Sequence, residues 1–258
     1  MSTSFVDTHC HFDFPPFVGT ETQSLAKAGE AGVEKIIAVG VTAERFDGVM
    51  ALAERYEPVY AALGIHPMAI NDFEEAHLDR LEAWLEQKPE KLVAIGEIGL
   101  DLYIDDPQFE RQQALLDAQL RLARTFELPV ILHSRRAHDK LAMHLRRIEL
   151  PRAGVVHGFA GSEQQARAFI EAGYYIGVGG TITYERATKT RRTLSRLPLS
   201  ALLLETDSPD MPVQGFQGEP NRPERIRHAF ESLCEIRDEP PEEIASTIRD
   251  NTRRLFGL

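Results

Sequence analysis

Eight short β-branched or apolar runs recur along the 258 residues with helical patterns between them, and no other feature restricts the possible folds as tightly. The runs occupy 5–8, 35–39, 59–64, 92–96, 130–132, 154–156, 175–178 and 202–204. Most are bounded by Gly or Pro, and intervening segments such as 106–126 and 163–172 carry apolar residues at three- and four-residue steps. Right-handed crossovers between such strands build an all-parallel sheet. Eight units without a Pro/Gly/Ser-rich linker predict one closed (β/α)8 TIM barrel over 1–258, as a single domain. An open doubly wound sheet would want a glycine-rich phosphate loop after its first strand, and His9-Cys10-His11 stands there instead.

The hydrophobic share of 43% is enough for a large core, and no run of about 18 apolar residues or signal-peptide pattern occurs. No membrane attachment is therefore expected. Cys10 and Cys234 are too few for a disulfide framework, which fits a reducing compartment and predicts a cytoplasmic protein; both read as packing residues. A net charge of −11 would repel a polyanion from most of the surface, so broad coating of a duplex is disfavoured. Arginines nonetheless gather after predicted strands, at Arg135 and Arg136, at Arg186, Arg191 and Arg192 beside Lys189, and at Arg222, Arg225 and Arg227. No obligate protein partner is indicated.

Side chains alternate faces in a strand, so His9 and His11 point the same way while Cys10 points oppositely. Glu97, His133, His157 and Asp207 each lie near the C-terminal end of a different predicted strand, and in a barrel those ends ring one mouth. Six nitrogen and oxygen donors at one mouth suit two divalent metal ions such as zinc or manganese, with magnesium possible where carboxylate and water dominate.

These residues carry a resemblance. The motifs Val6-Asp7-Thr8-His9-Cys10-His11, Leu63-Gly64-Ile65-His66-Pro67, Gly96-Glu97-Ile98-Gly99-Leu100-Asp101, Leu132-His133-Ser134-Arg135, Val156-His157-Gly158-Phe159 and Glu205-Thr206-Asp207-Ser208-Pro209 resemble those of TatD-type metal-dependent deoxyribonucleases. Asp13-Phe14-Pro15-Pro16-Phe17 and the stretch 210–218 resemble the YjjV branch of that family. The resemblance implies a TIM barrel of the amidohydrolase superfamily with a two-metal centre. It assigns His9, His11 and Asp207 to one ion, His133 and His157 to the second, and Glu97 to the bridging carboxylate. A genetically encoded carboxylate in place of a carbamylated lysine points away from ureases and phosphotriesterases.

Two such ions acidify a bridging water and polarise a phosphoryl oxygen. Asp207 is the candidate acceptor of that water's proton, and Glu205, two residues earlier on the same face, a candidate supporting residue. By resemblance His66 is a contact to substrate phosphate or an acid for the leaving group, and the loop Asn221-Arg222-Pro223 lies over the site, with Arg222 a candidate second phosphate contact. Arg135 offers a planar fork suited to phosphate oxygens. Asp7 or Asp13 is expected to hold a ligand imidazole in its tautomer. His77, His138, His144 and His228 read as surface or packing residues and Trp84 as helix core. Phe159, Tyr184 and Phe216 are the candidates for stacking on bases.

The leading expectation is therefore hydrolysis of phosphoesters in single-stranded or short nucleic acid, or in a nucleotide. The alternative within the same scaffold is a small amide, lactone or phosphomonoester substrate, since barrels change chemistry by loop variation. A non-catalytic metal-binding role would tolerate loss of Glu97 or Asp207, and both are present.

Overall fold

The computed structural model describes residues 4–258. Its eight described strands are β1 (Phe5–Cys10), β2 (Val33–Val39), β3 (Val59–Leu63), β4 (Leu92–Asp101), β5 (Val130–Arg135), β6 (Gly154–Val156), β7 (Tyr175–Val178) and β8 (Leu202–Leu204). They pair in sequence order and in parallel. β8 returns to β1 through a parallel bridge between Cys10 and Ser208, so the sheet closes as the βα alternation requires.

Among the described residues, nine helices surround or cap the strands: α1 (Glu21–Glu30), α2 (Phe46–Arg55), α3 (Glu75–Glu86), α4 (Phe109–Thr125), α5 (His138–Leu145), α6 (Glu163–Glu171), α7 (Thr188–Arg196), α8 (Ile226–Glu235) and α9 (Pro241–Phe256). Local chemistry sets several of their ends. Ser162 and Gln165 form a reciprocal capping box at the start of α6. Pro241 opens α9, and Gly257, at φ 75°, ends it in a conformation that costs a residue without Cβ nothing.

Two apolar layers follow from strands buried on both faces. The outer layer lies between sheet and helices. The inner layer fills the barrel with Ile37, Val39, Ala62, Ala94, Ile131, Val155 and Leu203, and Leu255 and Phe256 of α9 pack into the same cluster. Burial of each such large side chain contributes about 1.5–3 kcal/mol. Because the interior is filled, the chemistry is confined to the rim where the strands end.

β4 is longer than the predicted run 92–96, and its ladder with β5 shifts register between Ile95 and Ile98. Glu97 therefore sits inside a ten-residue strand rather than at its end. A Cβ at Gly99, whose φ is 148°, would stand 2.0 Å from the His133 carbonyl oxygen, so only glycine lets the two strands approach this closely.

Candidate metal centre

His9 lies in β1 and His11 just past its end, and their Nε2 atoms converge to 3.4 Å. β8 supplies Asp207 three residues beyond Leu204, at φ 59°. The backbone holds it there, because the Asp207 N–H donates to the His9 carbonyl at 2.8 Å and the His11 N–H to the Ser208 carbonyl at 2.7 Å. His9 Nε2 lies 3.3 Å from both Glu97 Oε2 and Asp207 Oδ1. His11 Nε2 lies 3.6 and 3.5 Å from the same two oxygens. A cation bound tetrahedrally at about 2.0–2.1 Å needs donors about 3.3–3.4 Å apart, so these four atoms have the spacing of a metal site.

The other oxygen of Glu97 faces a different set of donors. Oε1 is 2.6 Å from His157 Nε2 and 2.9 Å from His133 Nδ1, and those two nitrogens are 3.4 Å apart. One buried carboxylate thus presents one oxygen to each donor set. Burial opposes ionisation of Glu97, yet His157, His66 and His9, with the His133 hydrogen bond, hold its carboxyl well below the usual range. Burial and the neighbouring His157 lower the His9 imidazole to about 4, which leaves it in the neutral form that ligates cations. Burial also opposes protonation of His157, but Glu97, Asp207 and Glu205 outweigh it and raise that imidazole to about 10. A divalent ion in place of that proton satisfies the same carboxylates.

His66 also reaches this cluster, with Nε2 at 3.1 Å from Glu97 Oε1. Its Nδ1 accepts the Met68 N–H at 3.0 Å, so the neutral ring carries its proton on Nε2 and points a donor, not a lone pair, at the centre.

Asp101, at the far end of β4, has a part that its own motif does not reveal. It is fully buried, and its Oδ2 accepts from His133 Nε2 at 2.9 Å, which fixes the tautomer and turns Nδ1 toward Glu97. Gln112 of α4 holds the Asp101 backbone through its amide at both N–H and carbonyl, each at 2.8 Å. The same strand face four residues after Glu97 was the only available signal. Asp101→Asn is expected to keep the fold and to weaken metal binding by about 10–100-fold. Titration calorimetry of the metal-free protein with zinc or manganese checks this, and an unaltered affinity would remove Asp101 from the centre.

The expectation for Asp7 and Asp13 is corrected, since neither hydrogen-bonds a ligand imidazole. Asp7 accepts from the Thr206 N–H at 2.9 Å and its hydroxyl at 2.5 Å, tying β1 to the segment that carries Asp207. Asp13 pairs with Arg45 at 2.6 Å. Glu205 is buried beneath His157, with Oε1 3.9 Å from Nδ1 of that ring and 2.5 Å from the Gly158 N–H. A Cβ at Gly177 would come within 2.4 Å of Glu205 Oε2, so this glycine makes room for the carboxyl. Burial raises that carboxyl to about 8.

A cleft of about 810 Å³ opens over the donors and is lined by His11, His66, Glu97, Asp101, His133, His157 and Asp207, with Phe14, Met68, Arg135, Arg136, His138 and Met211 on its walls. His138, read from sequence as a surface or packing residue, packs edge-on against Phe159 at 5.1 Å and also lines the mouth. His144 pairs with Asp117, His77 caps α3, and His228 sits near Glu231. Trp84 is half-buried and donates to Asp47 at 3.1 Å. Arg135 is exposed at the end of β5, its guanidinium 3.8 Å from the Tyr103 ring centroid. Arg222 is half-buried before the turn 223–225 and is not among the residues lining the cleft. The stacking candidates are also corrected: Phe159 is buried, and neither Tyr184 nor Phe216, which Arg225 covers, is among the residues lining the cleft. Phe14 lines the cleft, and exposed Tyr103 lies under the guanidinium groups of Arg135 and Arg136.

A barrel mouth that gathers imidazoles and carboxylates around one shared, ionised glutamate, beneath an open cleft, defines the class: a metal-dependent hydrolase. The signature of the family described as TatD-related DNase matches residues 6–257. The chain belongs to that family. It is 61% identical to the Escherichia coli K12 protein named uncharacterized metal-dependent hydrolase YjjV, over 100% of both chains. The crystal structure of that TatD homologue superposes with a TM-score of 0.98 over 100% of each chain. It is 32% identical, over 91% of this chain and 92% of the other, to the Salmonella typhimurium protein named 3'-5' ssDNA/RNA exonuclease TatD. A TatD-family hydrolase from Entamoeba histolytica, at 21% identity, shares the fold with a TM-score of 0.87 over 99% of each chain.

Proposed function

We propose that this protein is a two-metal phosphodiesterase that trims single-stranded or short nucleic acid from an end, as a single barrel domain working in the cytoplasm. The observation that carries the reading is the division of Glu97 between two donor sets, Oε2 toward His9, His11 and Asp207, and Oε1 toward His133 and His157. Divalent ions bound there supply Lewis acidity toward a phosphoryl oxygen and toward solvent. The residues of the chain do the rest. Asp207 takes the proton of the attacking water on its carboxylate. His66 directs its Nε2 proton at the leaving oxygen or at a phosphate oxygen. Arg135 and Arg136 are exposed at the rim and neither is ion-paired among the described residues, which leaves both guanidinium groups for phosphates farther along the strand. Arg222 is kept as an outlying phosphate contact, and Glu205 supports His157 from below.

The relative named as an exonuclease on single-stranded DNA and RNA supports the substrate class. So does the charge of −11, which limits the footprint to a few contacts. No helix of the described residues is long and apolar enough to cross a membrane.

The test is turnover of one labelled sequence as single strand, duplex and short oligomer, beside amide, lactone and phosphomonoester substrates, at two salt concentrations. Two or three phosphate contacts give a log–log salt slope of about −1.4 to −2 on a single strand, and Arg135→Ala is expected to flatten it by about 0.7. Preference for long duplex with a steep slope, or turnover confined to the acyl substrates, overturns the proposal.

A further inference from the structure

The segment 13–17, Asp-Phe-Pro-Pro-Phe, has no part in the donor set, yet it begins two residues after His11. The Phe14 N–H donates to the His11 carbonyl at 3.1 Å, and the Phe17 N–H to the Phe14 carbonyl at 2.9 Å, so the loop turns directly off the strand that carries the ligands. Phe17 anchors it, fully buried and stacked on Phe12 with ring centroids 5.1 Å apart. Phe14 stays half-buried in the wall of the cleft, edge-on to His11 at 5.8 Å.

Arg45 covers the Phe14 ring from behind, its guanidinium carbon 3.7 Å from the centroid. That guanidinium is already committed, because Nε donates to Asp13 Oδ2 at 2.6 Å and Nη2 to the Asp13 carbonyl at 2.5 Å. Arg45 is therefore neutralised where it stands and does not serve as a phosphate contact. Its effect is to fix the plane of Phe14. β1 and β5 stand half a turn apart in the ring of eight strands, so the donors lie between this uncharged aromatic wall and the free Arg135 and Arg136.

We infer that Phe14 is a base-stacking platform, on which the nucleobase beside the scissile phosphodiester lies while phosphates farther along the strand meet Arg135 and Arg136. The inference rests on the phosphodiester reading above and names the part of the substrate that reading leaves open. An aromatic plane held from behind loses little further freedom when a ligand arrives. A π-face accepts any base, but only one whose own faces are uncovered, so the platform selects unpaired ends and is indifferent to sequence. Inside a duplex both faces are covered by neighbouring pairs, and at its end the pairing partner holds the base within the stack.

The test uses the full, metal-loaded chain and single-stranded oligonucleotides with fluorescent 2-aminopurine at one end or the other, matched with oligonucleotides abasic at that place. Wild type is expected to quench the terminal base and to bind it about tenfold more tightly than the abasic end. Phe14→Ala and Phe14→Leu lose both the quenching and the preference, Phe14→Tyr keeps them, and all variants bind the abasic strand alike. Circular dichroism and metal content confirm that each variant is folded and loaded. Quenching and preference that survive in Phe14→Ala overturn the platform, and if that variant still cleaves with unchanged kcat and KM the phosphodiester reading stands alone. A wild type that neither binds nor cleaves any oligonucleotide removes both.

Discussion

Glu97→Gln is expected to leave a folded barrel that holds metal poorly and turns substrate over on the order of 10²–10³-fold more slowly, the equivalent of several kcal/mol of lost charge stabilisation. One side chain serves two donor sets here, at 2.6 Å from His157 and 3.3 Å from His9. An amide has a single oxygen, and its NH₂ group would confront ring nitrogens that need an acceptor or a cation. It also removes the negative charge around which His9, His66, His133 and His157 converge. The fold is spared because the backbone N–H of residue 97 keeps its bond to the Gly40 carbonyl, at 3.0 Å. Elemental analysis of the purified variant should show bound metal depleted, since one donor set loses its Glu97 oxygen outright and the other keeps only a neutral one. Full metal content with unchanged kcat would overturn the bridging role.

Asp207→Asn isolates a different property. Its backbone lies at φ 59°, where asparagine is nearly as comfortable as aspartate while most residues are strained. Alanine there would mix a conformational penalty with a chemical one. The Asp207 N–H bond to His9 and the Asn221 amide bond to the Thr206 carbonyl, at 2.8 and 2.9 Å, remain available to the variant. The amide oxygen still faces the Nε2 atoms of His9 and His11, but it takes up no proton at working pH. The expected result is a loss of about 10²–10⁴-fold in kcat with thermal stability near that of wild type. Turnover near normal at full metal occupancy would assign the proton transfer to another group.

The donor set was legible because two simple periodicities carry it. Alternation along a strand puts His9 and His11 on one face, and a parallel barrel brings Glu97, His133, His157 and Asp207 to one rim. What lay beyond reach depends on pairings between distant segments. Nothing local distinguishes Asp101, whose role comes from His133, 32 residues away, and from Gln112 on the next helix. Asp7 shares a strand face with His9 and His11 and so reads as a partner for a ring nitrogen, yet tertiary register pairs it with Thr206, 199 residues later. The ten-residue β4 was read as five because Gly96 and Gly99 look like terminators, whereas both serve close strand approach. Phe14 was hidden for a related reason: a ring becomes a platform only once Arg45 and Asp13 have closed behind it.

Leu255 and Phe256, packed into the inner layer from the last helix, also bear on how the molecule is made. A ribosome delivers β1 to β7 long before it delivers these side chains, so the nascent strands wait with an unfilled interior. Vectorial synthesis can assemble βα units one after another, yet it cannot complete the cylinder. β1 must hold its open edge until β8 arrives and Cys10 meets Ser208. β1 and the segment that follows β8 thus form neighbouring walls of one room, and its floor is laid by a helix made after both.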